Sequence, residues 1–152
     1  MADKVFKEIE DVIADYTGLS RKVLEIALLM KNNMIASREP DYSPEIWERI
    51  EDYVSPDEFE RIGIFKESMD YKKYIDFNAK WAPTADWEGS FKRVTECGHL
   101  VFLELEERVT AEGATNIVNT LMVYDFNSAG KVRHLDVYMQ EAPKDAVHPA
   151  YA

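Results

Sequence analysis

The sequence predicts an α+β domain in which N-terminal helices pack on an antiparallel sheet of four main strands. Three observations carry this expectation. Apolar residues recur at helical spacing as far as Pro83 and alternate with polar ones afterwards. Short turns containing glycine separate the alternating segments. The 152 residues suit a single domain spanning 1–152, and a chain of that size buries roughly 70% of its unfolded surface.

The helices come first. Val5, Ile9, Val12 and Ile13 share one face of a segment that Gly18 ends. Ser20 is placed to cap a second helix. That helix carries Val23, Leu24, Ala27, Met30, Met34 and Ile35 on its apolar face, and Pro40 stops it. Ser43-Pro44-Glu45 opens a third, with proline at the first helical position. Ile46, Trp47, Ile50 and Tyr53 continue it. Ser55-Pro56-Asp57 repeats the signal briefly. A fourth helix over 70–81 presents Tyr71, Tyr74, Ile75, Asn78 and Trp81.

The strands follow. Trp87 to Thr95 alternates, and Cys97-Gly98 reads as a two-residue turn. Leu100 to Thr110 is the next strand, and Gly113 marks its turn. Thr115 to Phe126 is rich in β-branched and aromatic residues. Asn127 to Gly130 turns the chain into a last strand, Val132 to Met139. Residues 141–152 read as a loose tail.

Composition narrows the function. Hydrophobic residues make up 46% of the chain and aromatic residues 12%, as in globular proteins. Eighteen Lys and Arg against 29 Asp and Glu leave a net charge of −11. Such a surface repels phosphate backbones and anionic bilayers, so neither nucleic acid nor membrane is expected as a partner. Cys97 is the single cysteine, which excludes an intrachain disulfide. The first residues lack the apolar stretch of a signal peptide, and no run approaches the ~18 residues of a membrane span. A cytoplasmic protein is expected. His99, His134 and His148 have no ligand spacing and no Cys-x-x-Cys exists, so no metal is expected. No glycine-rich phosphate loop is present, and no cofactor is expected.

Two segments carry a resemblance. Tyr124-Asp125-Phe126-Asn127-Ser128-Ala129-Gly130-Lys131-Val132 resembles the last hairpin of a ketosteroid isomerase. Val132 to Gln140, with Tyr138 near its end, resembles the closing strand of the SnoaL-like group. With the order of elements over residues 20 to 140, they make the chain similar to the nuclear transport factor 2-like superfamily. The resemblance implies a strongly bent sheet whose helical side encloses a conical pocket. It makes residues 1–18 an added N-terminal helix. The short strand pair of many relatives is reduced to residues 58–65. The outer sheet face of relatives often packs on another subunit, which implies a homodimer or higher homo-oligomer.

Alternation then assigns the faces. Carried over from the last hairpin, Met122, Tyr124 and Phe126 face the pocket, as do Leu135, Val137 and Met139. Val101, Leu103 and Leu105 follow. The turn at Cys97-Gly98 opposes Val94 to Val101 and puts Lys92, Ser90 and Glu88 on the pocket side. A slip of one residue exchanges Lys92 for Arg93. The outer face receives Phe102, Glu104, Glu106, His134, Asp136 and Tyr138, so His134 and Asp136 read as a structural pair.

The resemblance places the isomerase acid at Met122 and its base near Arg61 or Ile62. It places the acidic and arginine positions of the epoxide hydrolases at Leu103, Leu105 and Val137. Most of these residues are apolar, so neither mechanism transfers. Lys92 is the candidate base, since burial on an apolar wall disfavours its charged form. A lysine whose head reaches solvent is the competing structural reading. Tyr53, Tyr74 and Asn33 are candidate donors to an oxyanion, with satisfied core or surface roles as the alternative. Trp47, Phe59, Asn78, Trp81, Leu103, Met122, Tyr124, Leu135 and Val137 are candidate substrate-binding residues or simply core.

The expected function is a cofactor-independent lyase or isomerase on a hydrophobic, aromatic small molecule. Its chemistry would be proton abstraction, giving isomerisation, dehydration or carbon–carbon cleavage. Two alternatives stay open: a non-catalytic module binding a hydrophobic ligand, and a structural subunit docking through the outer sheet face.

Overall fold

The computed structural model describes residues 7–142 and Ala150. The expected tail beyond Ala142, with His148, and the start including Val5 lie outside the described residues, apart from Ala150. The chain forms an α+β structure with a curled sheet of six strands. Three α-helices, α1 (Ile9–Val12), α2 (Gly18–Ala36) and α3 (Tyr71–Trp81), lie between or before the strands. The strands are β1 (Glu60–Ile62), β2 (Ser68–Asp70), β3 (Asp86–Cys97), β4 (Leu100–Ala111), β5 (Ala114–Phe126) and β6 (Val132–Glu141). Their spatial order is β2-β1-β6-β5-β4-β3. All neighbours are antiparallel except β1 and β6.

Several boundaries differ from expectation. The first helix is only α1 followed by a 3-10 turn over Ile13–Asp15, after which Tyr16 is extended. Gly18 does not end a helix but begins α2, at φ 63°. Residues 44–52 form a 3-10 helix, not an α-helix, and the Ser43 side chain makes no capping hydrogen bond. Ile35 is exposed instead of packed. The short strand pair extends to Asp70, beyond the segment 58–65. Asp70 ends β2 and also caps α3, accepting the Lys73 amide at 2.9 Å.

Ser20 is not the cap of α2. It sits in the first turn, and its amide and hydroxyl both donate to Glu96 Oε1, at 2.7 and 2.9 Å. A carboxylate on β3 thus supplies the acceptor that the Thr17 side chain does not. The first turn of a helix leaves amides without partners and carries partial positive charge, so a carboxylate satisfies both.

The faces of the sheet turn on one irregularity. The β3–β4 turn is Gly98-His99, with Cys97 paired to Leu100. Val94 therefore meets Leu103, not Val101. A shift of two residues keeps the faces, but the register shifts again between Phe91 and Arg93. This bulge reverses the alternation below it. Phe91 pairs with Leu105 and Gly89 with Glu107, so Trp87, Gly89 and Phe91 face the helices. Glu88, Ser90 and Lys92 are turned to the outer face, against expectation. There Lys92 Nζ lies 3.4 Å from Asn119 Oδ1, and Arg93 pairs with Glu104. His134 and Asp136 also lie on the outer face, 3.0 Å apart, with Glu60 3.4 Å from His134 Nδ1.

The Glu96 contact is a tertiary cap. Replacing Glu96 with alanine is expected to cost about 0.5–2 kcal/mol, the range for a lost cap. Urea unfolding of the two proteins measures it.

Candidate active site

A cavity of about 920 Å³ separates the helices from the inner sheet face. Helix α2 contributes Ala27, Met30 and Met34, and α3 contributes Tyr74, Phe77, Asn78 and Trp81. The β1–β2 hairpin adds Arg61, Ile64, Phe65, Glu67 and Met69. The sheet adds Leu105, Val118, Met122, Tyr124, Leu135, Val137 and Met139. Walls of this kind select an apolar ligand, and the few polar groups orient it.

Two carboxylates stand among them, Glu67 on the β1–β2 hairpin and Glu107 on the sheet. Glu107 Oε1 accepts from Thr120 Oγ1 at 2.7 Å, and Oε2 accepts from Trp87 Nε1 at 2.9 Å. All three residues line the cavity. Strand register explains the arrangement. Glu107 continues the inward row of Val101, Leu103 and Leu105. Thr120, on β5, pairs with Leu105. Trp87 reaches Glu107 because Gly89, directly opposite Glu107, has no side chain. A Cβ at Gly89 would stand 2.7 Å from Cζ2 and Cη2 of the indole. Each carboxylate oxygen is held by one donor. Two of its roughly four lone-pair positions stay open to another partner.

Two phenols lie deeper. The Tyr74 hydroxyl meets Met30 Sδ at 3.9 Å, and the Tyr124 hydroxyl meets Met122 Sδ at 3.7 Å. Thioether sulfur is a weak acceptor, so both protons can be given to a stronger one. Burial pushes the Tyr74 hydroxyl above its ordinary range, against Arg61 and Asn78. Burial raises the Tyr124 hydroxyl as well, aided by Tyr74 and Glu107 and opposed by Arg61. Both remain protonated donors at neutral pH.

Arg61 is the cation of the cavity wall. Its guanidinium lies 5.9 Å from the Tyr74 ring centre and 5.8 Å from that of Phe77, one helical turn on. Its Nη1 is 3.5 Å from Glu67 Oε1. Backbone hydrogen bonding, from its own amide first and from Phe65, holds the Glu67 carboxyl below its usual range, helped by Arg61 and against desolvation.

The structure brings together only part of the expected site. Tyr74, Asn78, Trp81, Met122, Tyr124, Leu135 and Val137 line the cavity. Lys92 does not, for the bulge puts it on the outer face. Tyr53 turns away toward Glu25; burial, then Glu25 and Asp52, raise its hydroxyl. Asn33 is buried, its Nδ2 donating to the Ile46 carbonyl at 3.3 Å. Trp47 is fully buried core whose indole donates to Tyr42 Oη at 3.0 Å. Phe59 packs behind Tyr74, ring centres 5.2 Å apart and tilted by 36°, and Leu103 is fully buried beneath the wall.

Glu107, Thr120 and Trp87 were not among the expected residues. The signal for the first two was present. Extending the inward row from Leu105 by two residues reaches Glu107, and stepping back from Met122 reaches Thr120. For Trp87 the bulge hides the signal.

Among the described residues no group of His, Cys, Asp and Glu could hold a metal ion. No helix among them is long and apolar enough to cross a membrane.

No protein-family model matches the sequence, and no curated protein matches it. Solved structures do. A protein from Jannaschia sp. CCS1, assigned as a SnoaL-like polyketide cyclase, superposes with a TM-score of 0.57 at 14% identity, covering 82% of this chain and 90% of its own. A nuclear transport factor 2-like protein of unknown function from Cytophaga hutchinsonii gives 0.54 at 18% identity, over 81% and 100%. An epoxide hydrolase of M. tuberculosis, like limonene epoxide hydrolase, gives 0.54 at 9%, over 74% and 84%. The chain therefore has the fold of the nuclear transport factor 2-like superfamily. At such identities the likeness defines the fold, and the site must define the chemistry.

Two expectations follow from this geometry. Gly89→Ala drives its methyl into the Trp87 ring. It should displace the indole from Glu107, moving the Trp87 Nε1–H resonance in an amide-type NMR spectrum and costing about 1–3 kcal/mol, as overpacking does. The second concerns alkali. The tyrosines ionise near 10.0 when unfolded and higher when folded. The unfolded chain then binds fewer protons, so stability is full below pH 10 and falls as pH rises through the folded values. Unfolding midpoints between pH 8 and 11.5 should show the fall, and it should be shallower in Y74F/Y124F.

Proposed function

We propose that the chain is a cofactor-independent enzyme that abstracts a proton from a hydrophobic, aromatic small molecule, as a lyase or isomerase. The observation that carries this reading is Glu107, a carboxylate oriented by two donors on the wall of an apolar cavity. An apolar carrier site has no use for a fixed carboxylate. Burying one is costly unless its lone pairs are engaged.

The roles follow from the groups. Glu107 accepts the proton of a carbon acid next to a carbonyl. The electron pair left on carbon moves into the C–C bond, and the carbonyl oxygen takes the negative charge. Tyr74, from α3, and Tyr124, from β5, would donate to that oxygen, and their raised ionisation keeps their protons available. Trp87 and Thr120 are positioning residues that aim the carboxylate. Returning the proton to a different carbon gives isomerisation; loss of a leaving group gives elimination. Every participant is a side chain of this protein. The fold hosts cyclase-, isomerase- and epoxide hydrolase-assigned proteins, which is consistent with such chemistry without specifying it.

The test uses 2-tetralone, an apolar aromatic ketone with acidic α-hydrogens. In D₂O the protein should accelerate exchange of those hydrogens, read by proton NMR. Glu107→Gln should lower the rate by about 10²–10⁴, the usual weight of a general base. Thr120→Val should lower it by a smaller factor. A Gln variant that exchanges as fast as the native protein would remove Glu107 as the base. No acceleration by the native protein, with 2-tetralone bound, would favour a binding module.

A further inference from the structure

We propose that the ligand of this cavity is an organic monoanion, an apolar body bearing one carboxylate that Arg61 receives. The inference rests on the cavity being a small-molecule site and deepens that reading.

Arg61 is the only cation lining the cavity among the described residues. From the sequence, Glu60 or Arg61 could line the cavity mouth or form a surface ion pair; in the fold the Arg61 side chain is only 14% exposed. The guanidinium is fixed in place by the Tyr74 and Phe77 rings. Its Nη1 is buried and makes no hydrogen bond to any described residue. The anion beside it among the described residues, Glu67, stands at 3.5 Å and accepts from the Phe65 amide on its other oxygen at 2.9 Å. With Glu67 its only charged neighbour in the cavity wall among the described residues, and no closer than 3.5 Å, that donor can still take a nearer acceptor, and an incoming carboxylate supplies one. The planar fork suits a carboxylate in two-point contact. The charge count favours one negative charge over two. Glu67 already offsets part of Arg61, and a phosphate dianion would face that carboxylate directly. The protein as a whole is strongly acidic, so a site for an anion requires a dedicated cation. The apolar walls take the remainder of the molecule.

The register also sets the orientation. Arg61 pairs with Leu135, and Leu135 pairs with Tyr124, so these residues form one row across β1, β6 and β5. Glu107 lies in a different row, beyond Thr120 and Leu105. The carboxylate is bound at one end and the reactive carbon sits toward the other.

Isothermal titration tests this with benzoate, 2-naphthoate and decanoate, each against its neutral amide. At least one acid should bind tenfold or more tightly than its own amide. Arg61→Gln should abolish that preference, and Arg61→Lys, which keeps the charge but not the fork, should retain part of it. Circular dichroism checks that each variant is folded, and the Lys variant serves if the Gln variant is not. The proposal is overturned if no acid binds, if acid and amide bind alike, or if the preference survives Arg61→Gln. Failure here is separable from failure of the catalytic reading. Glu107→Gln should keep the acid preference, since it removes a negative charge from the cavity, while losing 2-tetralone exchange. Exchange without acid preference would overturn the anion alone, and acid preference without exchange would overturn the base alone.

Discussion

One extra residue in β3 decides what the cavity contains. Alternation gives each strand residue a face, and a bulge between Phe91 and Arg93 reverses the assignment below it. Without the bulge, Lys92, Ser90 and Glu88 would share the inner face with Val94. With it, two cationic side chains stay on the outer face, where Asn119 and Glu104 meet them. The inner face receives Phe91, Gly89 and Trp87 instead. Phe91 becomes core, and its amide is held by the Lys7 carbonyl at 2.7 Å. Gly89 leaves the space that Trp87 needs, and Trp87 provides one of the two donors on Glu107. A buried lysine would have lost its charge or carried a desolvation penalty; the bulge replaces it with an indole that stabilises a carboxylate.

The fold was legible because its signals are periodic and long. The switch from helical to alternating spacing at Pro83, and the glycines at 98, 113 and 130, mark elements that no tertiary contact had to override. Each of those glycines has positive φ. The start of α2 was less legible because its acceptor comes from Glu96, 76 positions from Ser20. Local sequence cannot show a cap supplied from another element. The 3-10 helix over 44–52 kept the expected burial of Trp47 and Ile50, since residues three apart eclipse in that geometry. It carried Tyr53 toward Glu25 and away from the cavity.

Of the five elements α3, β3, β4, β5 and β6, the site was legible on four. Tyr74, Asn78 and Trp81 follow from helical spacing on α3. Met122, Tyr124, Leu135 and Val137 follow from alternation along β5 and β6, whose pairing is regular through this stretch. The same alternation along β4 leads to Glu107 when it is carried past Leu105. Only β3 resists, because Phe91-Lys92-Arg93 contains no glycine or proline to announce a bulge. Lys92, expected on the inner face, and Trp87, missed there, both come from that strand.

The distribution of polar groups along the sheet has a further consequence. Tyr124 and Thr120 are four residues apart on β5, which corresponds to roughly 13 Å of extended strand. Tyr124 shares its row with Arg61, whereas Thr120 donates to Glu107. Between the two polar ends lie Met122, Leu105 and Val137, all apolar. A small polar molecule could satisfy one end only and would leave the middle of the cavity in contact with water. A ligand that engages both ends must be elongated and apolar at its centre. Under the proposed function, the apolar positions Met122, Leu103 and Val137 need not mark a lost active site. On the proposed reading, their apolar character separates Arg61 from Glu107, and that separation would orient a polar-ended ligand before any bond is broken.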